Sequence, residues 1–402
     1  MIKLINLPSP FLFVDKEQIP LGLLYLGAVL KKEGCDVELI DLAGKDDWAK
    51  SLEIDKSDLV GLSVTTPQFN TAKKIREIYP EVPIIAGGPQ PSIVPNLYLK
   101  NGFTGVCIGE GEKAIIKMAK NPKGIYQEPL IQNLDEIPFP AWDLIDIKSY
   151  RQTFMGKKII HLMTSRGCPY KCAFCSHSVF QTKMRFRSAN NIMEEIYALH
   201  YNYGYERLMF MDDTFMVNPN LKEVLRRLKP LGILWRCHFR ANLVNKEMLE
   251  FMYDSGCRHI TLGVESGSQK ILNIIKKGTT VEQNSKALEL AHEVGMAVKA
   301  FTIVGLPGET METMEATKKW LIDNRPDDFD LQIFHPYEDC DIYQNPEKYD
   351  IKFDKSINYD EAWFKGNPRS PVSTSALTAQ QITEWRKEAF EELVKALKPM
   401  RL

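Results

Sequence analysis

The sequence has no surplus of charge of either sign: 51 Lys and Arg stand against 52 Asp and Glu, for a net charge of −1 over 402 residues. A nucleic-acid-binding surface shows as a basic excess, so none is expected. Nor is there an apolar run long enough to cross a bilayer. The longest, LGLLYLGAVL, is about half of the ~20 residues required. The start, MIKLINLPSP, lacks the charged-then-apolar layout of a secretory signal, which makes the cytoplasm the expected address. Disulfides are rare there, and gathered cysteines more often bind metal or do chemistry. Internal repeats and low-complexity segments are absent. Finally, no histidine precedes His161, so the first 160 residues cannot offer an imidazole to any ligand.

What is present is strand–helix alternation. IKLIN, DVELID, DLVGLSV, PIIAGG and GVCIGEG read as buried strands, with PLGLLYLGAVLKKEG and FNTAKKIREIYP as amphipathic helices between them. This predicts an α/β, doubly wound parallel sheet over residues 1–125. Its ligand would sit at the strand carboxyl ends, where SVTTPQ, GGPQPS and GEGE lie. Residues 126–154 are proline-rich and aperiodic, as a connector would be. Over 155–340 six longer units follow, with strands at IIHLM, RLMFM, ILWRCHF, HITLGV, AVKAFTI and FDLQIF. Six βα units make three-quarters of a barrel, a fold whose chemistry sits at strand carboxyl ends. Residues 341–402 are irregular and then helical at TAQQITEWRKEAFEELVKAL.

Three of the eight cysteines, Cys168, Cys172 and Cys175, fall within TSRGCPYKCAFCSHS (164–178). Gly167 and Pro169 flank the first, which argues for a loop leaving a strand. Cluster iron takes thiolate ligands, usually four to a four-iron cube. With three, one iron keeps open positions for a small molecule, which is a catalytic arrangement. Alternatively His177 completes a Cys₃His shell for structural zinc. Spacing alone leaves both open.

CPYKCAFC resembles the CxxxCxxC motif of the radical S-adenosylmethionine (SAM) enzymes, with Phe174 as the aromatic before the last cysteine. The resemblance runs over about residues 155–340. It implies that Cys168, Cys172 and Cys175 hold a 4Fe-4S cluster whose free iron chelates the amino and carboxylate groups of SAM. One electron then cleaves SAM to methionine and a 5′-deoxyadenosyl radical. In FMDDTF, Asp213 aligns with the acid of the family's GGE and would pair with the SAM ammonium, whereas Asp212 replaces a glycine. Arg240 in HFRAN would clamp the SAM carboxylate. Glu265 and Ser266 in GVESGS match the ribose-binding segment, and Gly305 in IVGLPGET would admit the adenine. Arg185 and Arg187 in KMRFRS resemble the RxRS that follows the cluster loop in relatives. Cys237 and Cys257 are expected in the core, His238 beside them, and Cys340 nearer the substrate mouth.

PLGLLYLGAVLKKEGCDVELIDL, LSVTTPQF, AGGPQPSIVP and IGEGE resemble the cobalamin-binding domain that precedes the barrel in one radical-enzyme subfamily. That subfamily includes the bacteriochlorophyll-ring cyclase and phosphonate and hopanoid methylases. The resemblance implies cobalamin contacts from Ser63, Thr65, Thr66, Gly87, Gly88, Gln90, Gly109 and Glu110, with Gln90 in place of a histidine frequent in GGPHP relatives. It also implies a cobalt whose lower face has no histidine, as in subfamily members that lack Asp-x-His-x-x-Gly.

The expectation is therefore a cobalamin-dependent radical SAM methyltransferase acting on an unactivated carbon of a small-molecule or peptide substrate, with an electron donor such as flavodoxin or ferredoxin. The alternative is a radical SAM cyclase, oxidase or rearranging enzyme without methyl transfer. A methylthiotransferase would need a second, N-terminal cysteine triad and a basic RNA-binding tail, and neither is present. A zinc-stabilised scaffold is the non-enzymatic alternative. Residues 335–375, including WFKG, are expected to shape the substrate pocket.

Overall fold

The computed structural model describes residues 1–9, 12, 14–354, 357 and 369–399; WFKG lies outside them. The chain divides into two compact units, one containing Met1–Gln152 and His177–Gln181, the other beginning with Thr153–Ser176 and continuing from Thr182.

In the first unit, strands Ile2–Asn6, Val37–Asp41, Leu59–Ser63, Ile84–Gly87, Gly105–Ile108 and Gly124–Gln127 form one parallel sheet in the order 2-1-3-4-5-6. Helices cover both faces of such a sheet, so its strands are apolar nearly throughout. Leu4, Ile5, Val60, Ile84 and Val106 are fully buried. Helices Leu21–Lys32, Phe69–Ile78 and Gly111–Lys120 make three of the crossovers. The order reverses between strands 1 and 3, the switch point where doubly wound sheets bind ligands. Gly124–Gln127, whose Ile125 is exposed, adds an edge strand that four residues of weak pattern did not announce. Beyond it the chain is irregular and docks on the same unit: the Ala141 N–H donates to Leu24 O, and Trp142, Ile147 and Tyr150 are buried.

The second unit is an open parallel sheet of six strands in chain order: Ile160–Leu162, Arg207–Phe210, Leu234–Phe239, Cys257–Glu265, Ala297–Val304 and Asp328–Ile333. Alternation gives each strand two different faces. Leu162, Phe210, Trp235, Cys237, Ile260 and Leu262 are buried on one face, while His161, Arg236, His238, His259 and Lys299 alternate with them. Burial first, then Arg236, holds His238 neutral, at about 4. Helices Ala189–Tyr201, Lys246–Asp254, Val281–Glu293 and Met311–Asn324 connect the strands. Their starts are capped by Ser188, Asn245, Thr280 and Thr310, whose side chains accept backbone N–H groups of the first turn. The closing helix, Ala379–Leu397, begins at the Thr378 cap. Among the described residues no helix is long and apolar enough to cross a membrane.

Candidate active site

The cysteine loop begins at Gly167, just after the two-residue strand Ser165–Arg166, and its φ of 91° turns the chain where a side chain would be strained. Two backbone bonds to the buried Ala173 fix the loop: its N–H donates to Ile275 O (2.8 Å) and its carbonyl accepts from the Ile342 N–H (3.1 Å). A third tie runs from Ser176 Oγ to the Asp339 carboxylate (2.8 Å). Phe174 packs against an apolar cluster that includes Ile271, Leu272, Leu306 and Phe334. Two cysteines meet polar side chains: Cys168 Sγ lies 3.2 Å from Thr214 Oγ1, and Cys172 Sγ accepts from an Arg240 amine at 3.5 Å. Burial, followed by Cys172, Cys168 and Asp213, pushes the Cys175 thiol up to about 12, and Lys277 acts the other way. Cys175 thus shares one neighbourhood with Cys168 and Cys172.

Among the described residues, no three His, Cys, Asp or Glu side chains gather closely enough to hold a single metal ion. One tetrahedral zinc would draw its thiolates to within about 4 Å of each other. A cube instead takes each thiolate on a different iron and asks for wider spacing.

Arg240 follows the third strand and is buried. Its guanidinium stacks 3.7 Å over the Tyr170 ring of the cysteine loop, and its Nε is buried with no partner. A buried donor left unpaired costs about 1–3 kcal/mol, so the site fits a ligand that supplies an acceptor. Thr279 Oγ1 is a second such orphan, one residue beyond Gly278, where an added Cβ would come 3.3 Å from the other Arg240 amine. Glu265 ends the fourth strand with a φ of 62°, beside an irregularity in the pairing. Its carboxylate accepts from Lys277 Nζ at 2.6 Å, and both side chains are buried. Gly263 makes room for this pair: a Cβ there would stand 2.7 Å from Glu265 Oε1 and 2.9 Å from Lys277 Nζ.

The two adjacent acids do different work. Asp212 is buried and accepts from the Thr164 N–H (3.1 Å), Thr164 Oγ1 (2.7 Å) and Ser165 Oγ (2.5 Å), which anchors the backbone from which the cysteine loop departs. Burial raises it to about 6 against those bonds. Asp213 is exposed, and its charge is among those that raise the Cys175 thiol. Ser266 is fully buried, its hydroxyl engaged with Thr317 Oγ1 (3.2 Å) and the Ser268 N–H (3.2 Å). Gly305 has a φ of 81°; its N–H donates to Glu309, and a Cβ there would meet Ile382 at 3.1 Å. The close approach that Gly305 permits is thus to Ile382. Cys340, expected near a substrate mouth, is buried and its sulfur accepts from the Tyr343 N–H at the start of a short helix. Cys237 and Cys257 are buried as core residues. Arg187 pairs with the buried Glu195, and Arg185 lies in the two-residue ribbon opposite Arg166. Tyr170, Thr214, Lys277 and Thr279 are neighbours that sequence reasoning missed.

In the first unit the loops at the strand carboxyl ends are knitted together. Gln68 Oε1 accepts from Thr65 N–H (3.1 Å) and Oγ1 (2.9 Å), while Nε2 donates to Leu7 O and Pro8 O, both at 3.3 Å. Gly88, at φ 101°, passes so close to strand 3 that a Cβ would stand 3.0 Å from Ser63 Oγ and from Val64 N. Ser92 Oγ donates to Gly88 O and accepts from the Gly109 N–H. Ser63, Thr65 and Gly87 are half-buried and Thr66 is buried. Gln90 and Glu110 face inward: Gln90 Oε1 accepts from Tyr98 OH (2.6 Å), and Glu110 accepts from the Ile131 N–H (2.8 Å).

A Radical SAM superfamily model matches residues 162–321, and a B12 binding domain model matches 14–118. An uncharacterised methyltransferase of Pyrococcus horikoshii is 32% identical over 92% of this chain and 86% of its own length. The chain belongs to the radical SAM superfamily. This radical SAM protein is also 27% identical to the anaerobic magnesium-protoporphyrin IX monomethyl ester cyclase of Rubrivivax gelatinosus, over 81% of this chain and 66% of that one. Its fold is that of the radical SAM methyltransferase TsrM from Kitasatospora setae, with a TM-score of 0.72 over 98% of this chain and 90% of that one at 17% identity. Membership brings a 4Fe-4S cluster and SAM, and the first domain brings cobalamin. The residues fit: three neighbouring thiols suit the cluster, orphaned donors at Arg240 and Thr279 suit SAM, and glycine-lined loops at strand carboxyl ends suit a corrin.

Proposed function

We propose that this radical SAM protein is a cobalamin-dependent methyltransferase that adds a methyl group to an unactivated carbon of a small-molecule or peptide substrate. The observation that carries the reading is the presence, in one chain, of a B12 binding domain and a three-thiolate loop. The names of the Pyrococcus relative and of TsrM, both methyltransferases, favour it further. When bound, the cluster supplies one electron for cleaving SAM, and cobalamin carries the methyl group.

The roles of the chain's own side chains follow from their chemistry. Cys168, Cys172 and Cys175 hold three irons. Arg240 offers its unpaired Nε–H to the SAM carboxylate, with the Tyr170 ring keeping its plane fixed. Asp213 accepts from the ammonium, and Glu265, fixed by Lys277, accepts from ribose hydroxyls. Ser63, Thr65, Thr66 and the Gly87–Gly88 turn meet the corrin's nucleotide tail. A flavodoxin- or ferredoxin-type donor in the cytoplasm supplies the electrons.

A second reading, ring formation or oxidation without methyl transfer, is favoured by the likeness to the cyclase. Incubating the reconstituted enzyme and candidate substrates with methyl-labelled SAM separates the two. Label in the product carries the methyltransferase reading. Product formed without label overturns it.

A further inference from the structure

Residues Lys276 and Lys277 are neighbours with opposite fates. Left-handed backbone at Lys276 (φ 53°) and Gly278 (φ 69°) reverses the chain between them. Lys276 stays outside and pairs with Asp341 at 2.6 Å, while Lys277 turns in, with 9% of its side chain accessible. Burying an ammonium is costly even when paired, and Glu265, its partner, adds a strained left-handed residue. Gly263 keeps the space open for both. The same ammonium lies 5.9 Å from the centroid of the Phe174 ring, the residue before Cys175. A cation in low-dielectric surroundings beside a thiolate-bound centre favours whichever redox state carries more negative charge.

We propose that Lys277 is a tuning residue that biases the cluster towards its reduced state, with Glu265 as the counter-charge that limits the effect. This inference rests on the cluster reading above. The step is the uptake of one electron: an external reductant such as dithionite is oxidised, the cluster is reduced from its 2+ to its 1+ state, and no covalent bond changes.

The test is anaerobic spectroelectrochemical titration of the reconstituted holoenzyme without SAM, with iron and sulfide counts as the loading control. Lys277→Met is expected to lower the one-electron reduction constant about tenfold, a shift of ~59 mV to more negative potential. Lys277→Arg keeps the charge and the potential. Adding Glu265→Gln to Lys277→Arg, where the cation cannot lose its proton, is expected to shift the potential the opposite way. A lysine that merely supports its partner would give shifts of the same sign, or none, when either member is removed, and that result overturns the proposal. Should Lys277→Met fail to load, the comparison of Lys277→Arg with and without Glu265→Gln decides alone. A wild-type protein that takes up no reducible cluster sinks the parent reading instead.

Discussion

Changing Asp212 and Asp213 one at a time separates architecture from chemistry at adjacent positions. Asp212 accepts two bonds from Thr164 and one from Ser165, all in the interior. Asp212→Ala removes the acceptor and leaves the buried Thr164 N–H unpaired. Bonds to a charged group contribute about 1.5–3 kcal/mol each and an orphaned donor costs about 1–3. Because burial already pushes the carboxyl up to about 6, a net loss of about 3 kcal/mol is a fair expectation. For a unit of this size that is a fall of ~6–12 °C in melting temperature. Asp213 is exposed, so Asp213→Asn is expected to melt within about 1–2 °C of wild type. Its effect falls instead on SAM affinity, by about tenfold or more. The assay is anaerobic thermal denaturation of the loaded protein beside equilibrium dialysis of SAM. The pH dependence has a definite sign. A folded pKa above the unfolded value of about 3.9 means that Asp212's contribution to stability is fullest below about 4 and is lost as pH rises through about 6. Asp212→Asn should flatten that part of the profile. Equal melting losses for the two variants, or unchanged SAM binding in Asp213→Asn, would refute the division of labour.

Arg240→Lys keeps a charge but loses the planar stack on Tyr170, and is expected to weaken SAM binding at least tenfold by the same dialysis, whereas Tyr170→Phe keeps the ring and the affinity. Gly263→Ala forces a Cβ against the Glu265–Lys277 pair and should cost about 1–3 kcal/mol in urea denaturation together with SAM affinity. Cys340→Ala should lower stability by about 1 kcal/mol yet leave iron and sulfide content unchanged, whereas alanine at Cys168, Cys172 or Cys175 should abolish cluster absorbance. Gln68→Ala should loosen the loops after strands 1 and 3 of the first domain and lower hydroxocobalamin retention on gel filtration, with the cluster intact.

The first sheet was legible in the sequence because its strands, buried on two faces, read as nearly unbroken apolar runs, and the second because apolar residues recur along each strand, with helices between them as 3.6-residue periods. The three cysteines stand out in the sequence because they lie within eight residues of one loop. Residues that act through distant partners were not. KKGTT looks like two solvated lysines followed by a turn; only the left-handed residues at 276 and 278 send Lys277 inward, and its partner Glu265 lies on another element. A glycine on each side of the pair, Gly263 and Gly278, was the available signal. Strand-end positions alone did not show which way a side chain would face. Ser266 and Gln90 point inward because Thr317 and Tyr98 receive them, and Gly305 is close to Ile382 because the last helix packs there. The edge strand Gly124–Gln127 escaped because half of its four residues are polar or glycine.

Metal and sulfide analysis of the anaerobically reconstituted wild-type chain tests the central claim most directly. The account predicts four irons and four sulfides per chain, no zinc, and loss of both on replacing Cys168, Cys172 and Cys175 by alanine. About one zinc per chain with no sulfide, or four irons retained by the triple variant, would contradict it.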